Sequence, residues 1–318
     1  MPGNRHVTIG DVARMAKVSR TLVSFVLNGR KDVAPATRVR ILQAIEELGY
    51  RPNAVARNLA RKRAGAIGIV CDMETYQDPL DMQFLAAILT TASEMEQRVM
   101  LIPADERQIQ EVAQDHAVDG VIFLDERVAD PRIAHLQTMG IPAVGLWGGY
   151  LNETLRVGVE ELALHLDSRG LKQVVCLYES CDKLFVKEFK QTLTDILQEY
   201  NIAFTVYHCP PETEAEVVRA VAQELKRSGS TAIVASSDKL AINAIHGLHA
   251  ARLHVPDDCA VTGFGDVPAA QWVQPRLTTI RVPVKAMALR AMGRVFRDED
   301  VVKQFPAVSC RLIVRRSC

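Results

Sequence analysis

Two sets of side chains in this 318-residue chain have types and spacing suited to chemistry. The first is Arg20, Thr21, Ser24 and Phe25, in a short run that also carries Val23, Val26 and Leu27. If the run is helical, its apolar face packs inward and presents a guanidinium, two hydroxyls and a ring outward. Arginine pairs with guanine edges, hydroxyls with bases or phosphates, and an apolar side chain meets a thymine methyl, so this set suits nucleic-acid reading. The same residues also fit the solvent face of an ordinary three-helix domain.

The second set is Asp72, Tyr76, Asp78, Trp147, Tyr178, Lys183, Phe185, Asp238 and Asp266, each near the end of a predicted strand. Converging carboxylates, a cation and rings suit a small-molecule pocket, since ligand groups taken out of water must be paired. Trp147 and Phe185 either sandwich a flat or apolar ligand or serve interdomain packing. Asp238 either meets ligand or caps a helix beginning at Lys239, or does both. Catalysis finds no such support: there is no glycine-rich phosphate loop, nucleophile elbow or metal-ligand cluster. His246 and His249, at helical spacing, suit a solvated helix face. No enzyme activity, cofactor or metal is expected.

The elements that must hold the first set lie at the start of the chain. Thr8 is a good N-cap with Asp11 in the first turn, and Ile9, Val12, Ala13 and Ala16 form one stripe. Ser19 caps a second helix through Leu27, stopped by Asn28-Gly29. Two short helices joined by a tight turn form a helix-turn-helix. A third helix runs from Pro35 to Leu48, with Val39, Leu42, Ile45 and Leu48 as its expected buried stripe and Gly49 as its stop. Ala54 to Ala60 is helix-competent but too short to stand alone in water.

Charge is divided along the chain. Residues 1–64 carry 13 Lys and Arg against 4 Asp and Glu; the remainder carries 25 against 34. A basic head on an acidic body suits a polyanion-binding module attached to something that must not itself stick. The seven scattered cysteines read mostly as buried free thiols. No apolar run approaches the ~18 residues that span a bilayer, and the start of the chain lacks an apolar signal core. A cytoplasmic protein without membrane attachment is expected.

Beyond the basic joint Arg61–Gly65, short β-branched runs alternate with amphipathic stretches. Strands are predicted at 66–71, 98–102, 120–124 and 142–146, and again at 173–178, 203–208, 231–236 and 259–264. Helices at 83–97, 108–116 and 284–297 accompany them. This is the pattern of parallel sheets covered on both faces, with ligands bound where strand ends face a cleft.

The head contains Thr8-Ile-x-Asp11-Val-Ala, Val18-Ser19, Val23-Ser24, Val26-Leu27-Asn28-Gly29, Thr37-Arg38, Leu48-Gly-Tyr-Arg-Pro-Asn53 and Ala56-Arg57-x-Leu59. The body contains Val118-Asp-Gly-Val-Ile122, Val255-Pro-Asp-Asp258, Val261-Thr-Gly-Phe-Gly-Asp266, Pro275-x-Leu-Thr-Thr-Ile280 and the end from Arg311. In these stretches the chain resembles the LacI/GalR family of bacterial transcription repressors. The resemblance implies an α/β chain: an N-terminal helix-turn-helix domain (1–51), a hinge helix and linker (52–64), and a periplasmic-binding-protein-like core (65–318) of two doubly wound parallel-sheet lobes. The first lobe would be about 65–155 with 284–299, the second about 156–282 with 300–318. A homodimer would read a pseudo-palindromic operator in double-stranded DNA, with Thr8, Ser19, Arg20, Thr21, Ser24, Phe25, Asn28, Asn53, Ala56 and Leu59 at the DNA. By position Leu59 is the residue that wedges into the central step and bends the duplex.

The implied function is a sequence-specific regulator, a repressor, switched by a small molecule in the interlobe cleft. Asp78, Trp147, Lys183, Phe185, Asp238 and Asp266 are the candidate effector contacts. The alternatives are a regulator without small-molecule input and, from another class, a solute-binding protein, against which the basic head argues. Lys17 stands where glycine is frequent in the turn, and Phe25 where arginine is frequent. In the pocket, Phe185 occupies a common arginine position and Gly265 a common aspartate position. An ordinary monosaccharide is therefore not the expected effector.

Overall fold

The computed structural model describes residues 7–27, 33–50, 64–72, 78–148, 151–210, 213–228 and 232–297, and then 308 to the end. It divides into two compact units, Met1–Ala64 and Gly65–Cys318.

In the first unit, α1 (Ile9–Met15), α2 (Arg20–Leu27) and α3 (Pro35–Glu47) enclose a core of Val12, Ala13, Ala16, Val23, Val26, Val33, Ile41 and Ala44. The expected stripe on α3 needs correction: Val39 and Leu42 are 54% and 50% exposed, whereas Ile41 and Ala44 are buried. Each step of three residues falls about 60° short of a full turn, so a run at constant spacing of three walks around the helix. Ile41, Ala44, Ile45 and Leu48 keep the mixed three-and-four spacing of one face.

The second unit holds two sheets. In the first, β1 (Ala66–Cys71), β2 (Arg98–Pro103), β3 (Gly120–Phe123) and β4 (Ala143–Gly145) lie in the order β2-β1-β3-β4, all parallel. Ile67, Ile69 and Cys71 of β1 face α4 (Pro79–Glu94) and α11 (Val284–Phe296). Ala66 and Val70 face α5 (Glu106–Gln114) and α6 (Pro131–Thr138). The period of two with both faces buried explains why β1, β3 and β4 read as unbroken apolar runs, whereas β2 at the sheet edge is largely exposed.

The second sheet has the order β10-β9-β8-β7-β5-β6. Its strands are β5 (Gln173–Glu179), β6 (Ala203–Cys209), β7 (Ala232–Ala235), β8 (Ala260–Gly265), β9 (Thr278–Arg281) and β10 (Arg311–Ile313). Only β10 is antiparallel. One face carries α7 (Leu151–Ser168) and α8 (Leu184–Glu199), the other α9 (Glu214–Ser228) and α10 (Asp238–Ala250). Strands β9 and β10 were not anticipated. Six of the seven cysteines are buried and all are free.

The largest hydrophobic cluster does not stop at the boundary between lobes. It joins Phe84 and Trp147 of the first lobe to Phe185, Phe189 and Phe264 of the second.

Candidate effector cleft and DNA-reading face

In the head, the carboxylate of Asp11 accepts from the backbone N–H of Thr8 at 2.9 Å and from its hydroxyl at 2.7 Å. Ser19 Oγ accepts from Leu22 N–H at 3.2 Å. Thr8 and Ser19 thus secure the two helix starts. The turn between these helices places Lys17 at φ 52°, the left-handed region that favours glycine.

Arg20 and Thr21 are exposed, whereas Ser24 and Phe25 are half-buried, Phe25 against the small core. The Arg20 guanidinium lies over Gly10 of α1, where an added Cβ would come within 3.2 Å of Nε and Nη2. Gly10 thereby makes room for the exposed cation. Asn28, Asn53, Ala56 and Leu59 lie outside the described residues, as do the rest of 52–63 in the proposed hinge and linker and Tyr76.

In the body, the strand-end residues converge between the two sheets, but largely on one another. Trp147, just past β4, stacks on Phe185 of α8 with centroids 4.7 Å apart and planes at 28°. Phe84 meets the Trp147 ring edge-on at 5.4 Å, and Phe264 lies 4.7 Å from Phe185. Trp147 is 3% exposed and Phe185 9%. Of the two roles open to these rings, the structure shows packing between the lobes: they face each other and leave no room for a flat ligand. The cavity lined by Asp78, Asp81, Glu126, Trp147, Lys183 and Ser236 among others holds about 20 Å³, room for about one water and not for a metabolite.

Glu126, which sequence reading missed, positions Trp147. Its carboxylate accepts from Trp147 N–H at 3.0 Å and also from Gly148 N–H. It can lie there because Gly145 has no side chain: a Cβ would fall 1.8 Å from the Glu126 carboxyl carbon. Burial pushes Glu126 up to about 7, against the pull of those backbone donors and of Arg294. Its signal in sequence is a carboxylate directly after an apolar strand, at the strand end that faces a cleft.

Lys183 reaches across to Asp81 of α4 at 2.9 Å, the side chains being 20% and 8% exposed. Burial raises Asp81 to about 7 while Lys183 draws it down, and the lysine itself is pushed up despite burial by Asp81, Asp78 and Asp72. Both directions fit an ion pair withdrawn from water. Alongside it, Leu184 N–H donates to the Glu126 carbonyl at 2.8 Å and Arg127 bridges to the Lys183 backbone. Lobe is therefore joined to lobe by rings, an ion pair and backbone.

The other candidates are occupied within the protein. Asp78 caps α4, accepting from Leu80 N–H at 2.8 Å. Asp238 is 1% exposed, and its oxygens accept from Val267 N–H at 2.8 Å and the Thr279 hydroxyl at 2.5 Å. It braces β8 and β9 instead of meeting effector in this arrangement. The helix cap is Ser237, whose Oγ accepts from Leu240 N–H at 3.2 Å. Asp266 likewise accepts from Arg281 Nε at 2.6 Å and Arg315 Nη2 at 2.5 Å. Tyr178 is fully buried beside Phe189, inside the second lobe.

Comparison with known proteins agrees with both parts of this architecture. A model described as bacterial regulatory proteins, lacI family, matches residues 8–53, and one described as a periplasmic binding protein-like domain matches 163–318. An HTH-type transcriptional regulator in the aml 5′ region of Streptomyces limosus is 31% identical, covering 91% of this chain and 87% of its own length. The chain belongs to the lacI family of bacterial regulatory proteins.

This lacI-family protein is a DNA-binding transcriptional regulator. Catabolite control protein A of Priestia megaterium is 27% identical over 98% of this chain and 99% of its own. A structure of the Lac repressor dimer bound to operator and the anti-inducer ONPF shares the fold, with TM-score 0.79 and 21% identity, covering 98% and 99% of the two chains.

Proposed function

We propose that this regulator represses transcription as a homodimer on a pseudo-palindromic operator, and that its own side chains hold its effector domain closed. Residues 1–51 read the major groove and 52–64 form the hinge, with Leu59 as the minor-groove wedge. The protein acts by binding and not by catalysis, and works in the cytoplasm, where its operator is. The direct stack of Trp147 on Phe185 carries the closed reading. A ligand enters the cleft only by parting that stack, and a monosaccharide entering there must find partners among groups already paired within the protein.

The homodimer is supported by an apolar stripe left to solvent: Met82, Ala86 and Leu89 at helical spacing on α4, beside exposed Met100 and Leu101 on the edge strand β2. Such a stripe next to an unpaired strand edge suits a self-complementary interface.

Selection of bound sequences from random duplex DNA tests the head. The expected result is a two-fold symmetric site. Arg20→Ala should relax base preference at one symmetric pair of positions, by about 1–3 kcal/mol per lost contact. A single unsymmetric half-site, or an unchanged profile in the variant, would count against this assignment.

A second reading, a regulator with no small-molecule input, is favoured by the same filled cleft. Screening metabolites for release of the selected operator separates the two.

A further inference from the structure

Beside the filled cleft runs a groove of about 840 Å³, within the size range of metabolite sites. The first lobe contributes Arg127, Val128 and Pro131 to it. The second lobe contributes the segment from Glu179 to Lys183, then Val186, Lys187 and Lys190 of α8, with His208 at the end of β6. Four cations thus stand against two carboxylates.

Their commitments differ. Lys183 is held by Asp81, and Arg127 lies 3.6 Å from Asp182. Glu179 accepts from the Ser237 hydroxyl at 2.8 Å, and burial pushes its carboxyl above the usual carboxylate range. Among the described residues, Lys187 and Lys190 have no carboxylate within ion-pair distance. Lys190 instead lies 3.1 Å from His208 Nε2 and 5.7 Å from the centre of the Tyr178 ring. Neither an imidazole nor a phenol ring carries a negative charge, so these contacts give the lysine no counter-ion. One turn apart on α8, the two lysines face an apolar floor of Val128, Pro131 and Val186.

We propose that this groove, outside the aromatic stack, binds a small polyanionic metabolite, a phosphate ester or a di- or tricarboxylate, between Lys187, Lys190 and Arg127. Because its walls belong to both lobes, an occupant stabilises the closed arrangement. The site exists only with the lobes closed and so rests on the closed reading above.

Cys181 lines the groove and is exposed, whereas the other six cysteines are buried. Its alkylation by iodoacetamide, followed by mass spectrometry of the full-length protein, therefore reports on this groove and not on the basic head. Inorganic pyrophosphate and citrate are the two probes, compared at matched ionic strength. At least one should slow Cys181 alkylation fivefold or more in the wild type and less than twofold in the Lys187→Ala/Lys190→Ala double variant. Preference for one probe assigns the phosphate or the carboxylate class. No protection by either anion, or equal protection in the double variant, overturns the proposal. Acrylamide quenching of Trp147, read with both proteins carrying Trp272→Phe so that it is the sole tryptophan, distinguishes a groove that does not bind from lobes that are not closed, and either result would sink it.

Discussion

Trp147→Ala is expected to destabilise the effector domain by about 3–5 kcal/mol, the range for truncating a buried aromatic in a close-packed core. Trp147 is 3% exposed and touches Phe84, Phe185 and Phe264, so three rings lose their partner at once. Because those rings come from both lobes, the loss falls on the contact that holds the lobes together. The space left is apolar and should stay dry, so it should accept a flat aromatic of the missing shape. Indole should therefore raise the melting temperature of Trp147→Ala and leave the wild type unchanged. A loss below about 1 kcal/mol in denaturant unfolding, or no rescue by indole, would show that Trp147 does not plug the cleft.

Lys183→Met is the second large effect, because it strands Asp81. Removing one partner of a buried ion pair leaves an uncompensated charge and typically costs 3–5 kcal/mol; partial exposure of Lys183 brings the expectation to about 3. The loss must depend on pH in a defined direction. Burial already raises Asp81 from 3.8 to about 7 with Lys183 pulling it down, and without the lysine it rises further. A carboxylate whose folded pKa is raised contributes stability that is complete below its unfolded value and is lost as pH climbs through the folded one. The variant should thus lie close to wild type at pH 6 and well below it at pH 9. Replacing both residues, Asp81→Leu with Lys183→Met, should restore most of the loss, since no charge is then left buried. A deficit independent of pH would contradict the pairing.

The strands and their parallel order were legible because β-branched apolar runs such as Ala66–Cys71 are buried on both faces, which leaves a local signature. β10, Arg311–Ile313, leaves none: it is short and only half-buried, and pairs antiparallel at the sheet edge. On α3 the apolar residues were visible but not their rotation, since Val39 and Leu42 continue a spacing that the helix itself turns away from the core.

The cleft shows the same limit. Trp147 and Phe185 were found from their places at strand ends, yet whether two rings hold a ligand or each other depends on residues far apart in sequence. Asp238 and Asp266 looked available for ligand because Thr279, Val267, Arg281 and Arg315, which occupy them, come from segments with no local tie to them. Asp81 was passed over because an acidic residue in a first helical turn usually serves the helix dipole in water.

The claim that the lobes stand closed without ligand has a built-in reporter. The chain has two tryptophans: Trp147 is 3% exposed and Trp272 is 77% exposed. In Trp272→Phe, fluorescence comes from Trp147 alone. With no small molecule present, its emission should lie well to the blue of free tryptophan and resist acrylamide. Emission at the wavelength of free tryptophan, quenched freely until some metabolite is added, would contradict a cleft closed by its own side chains.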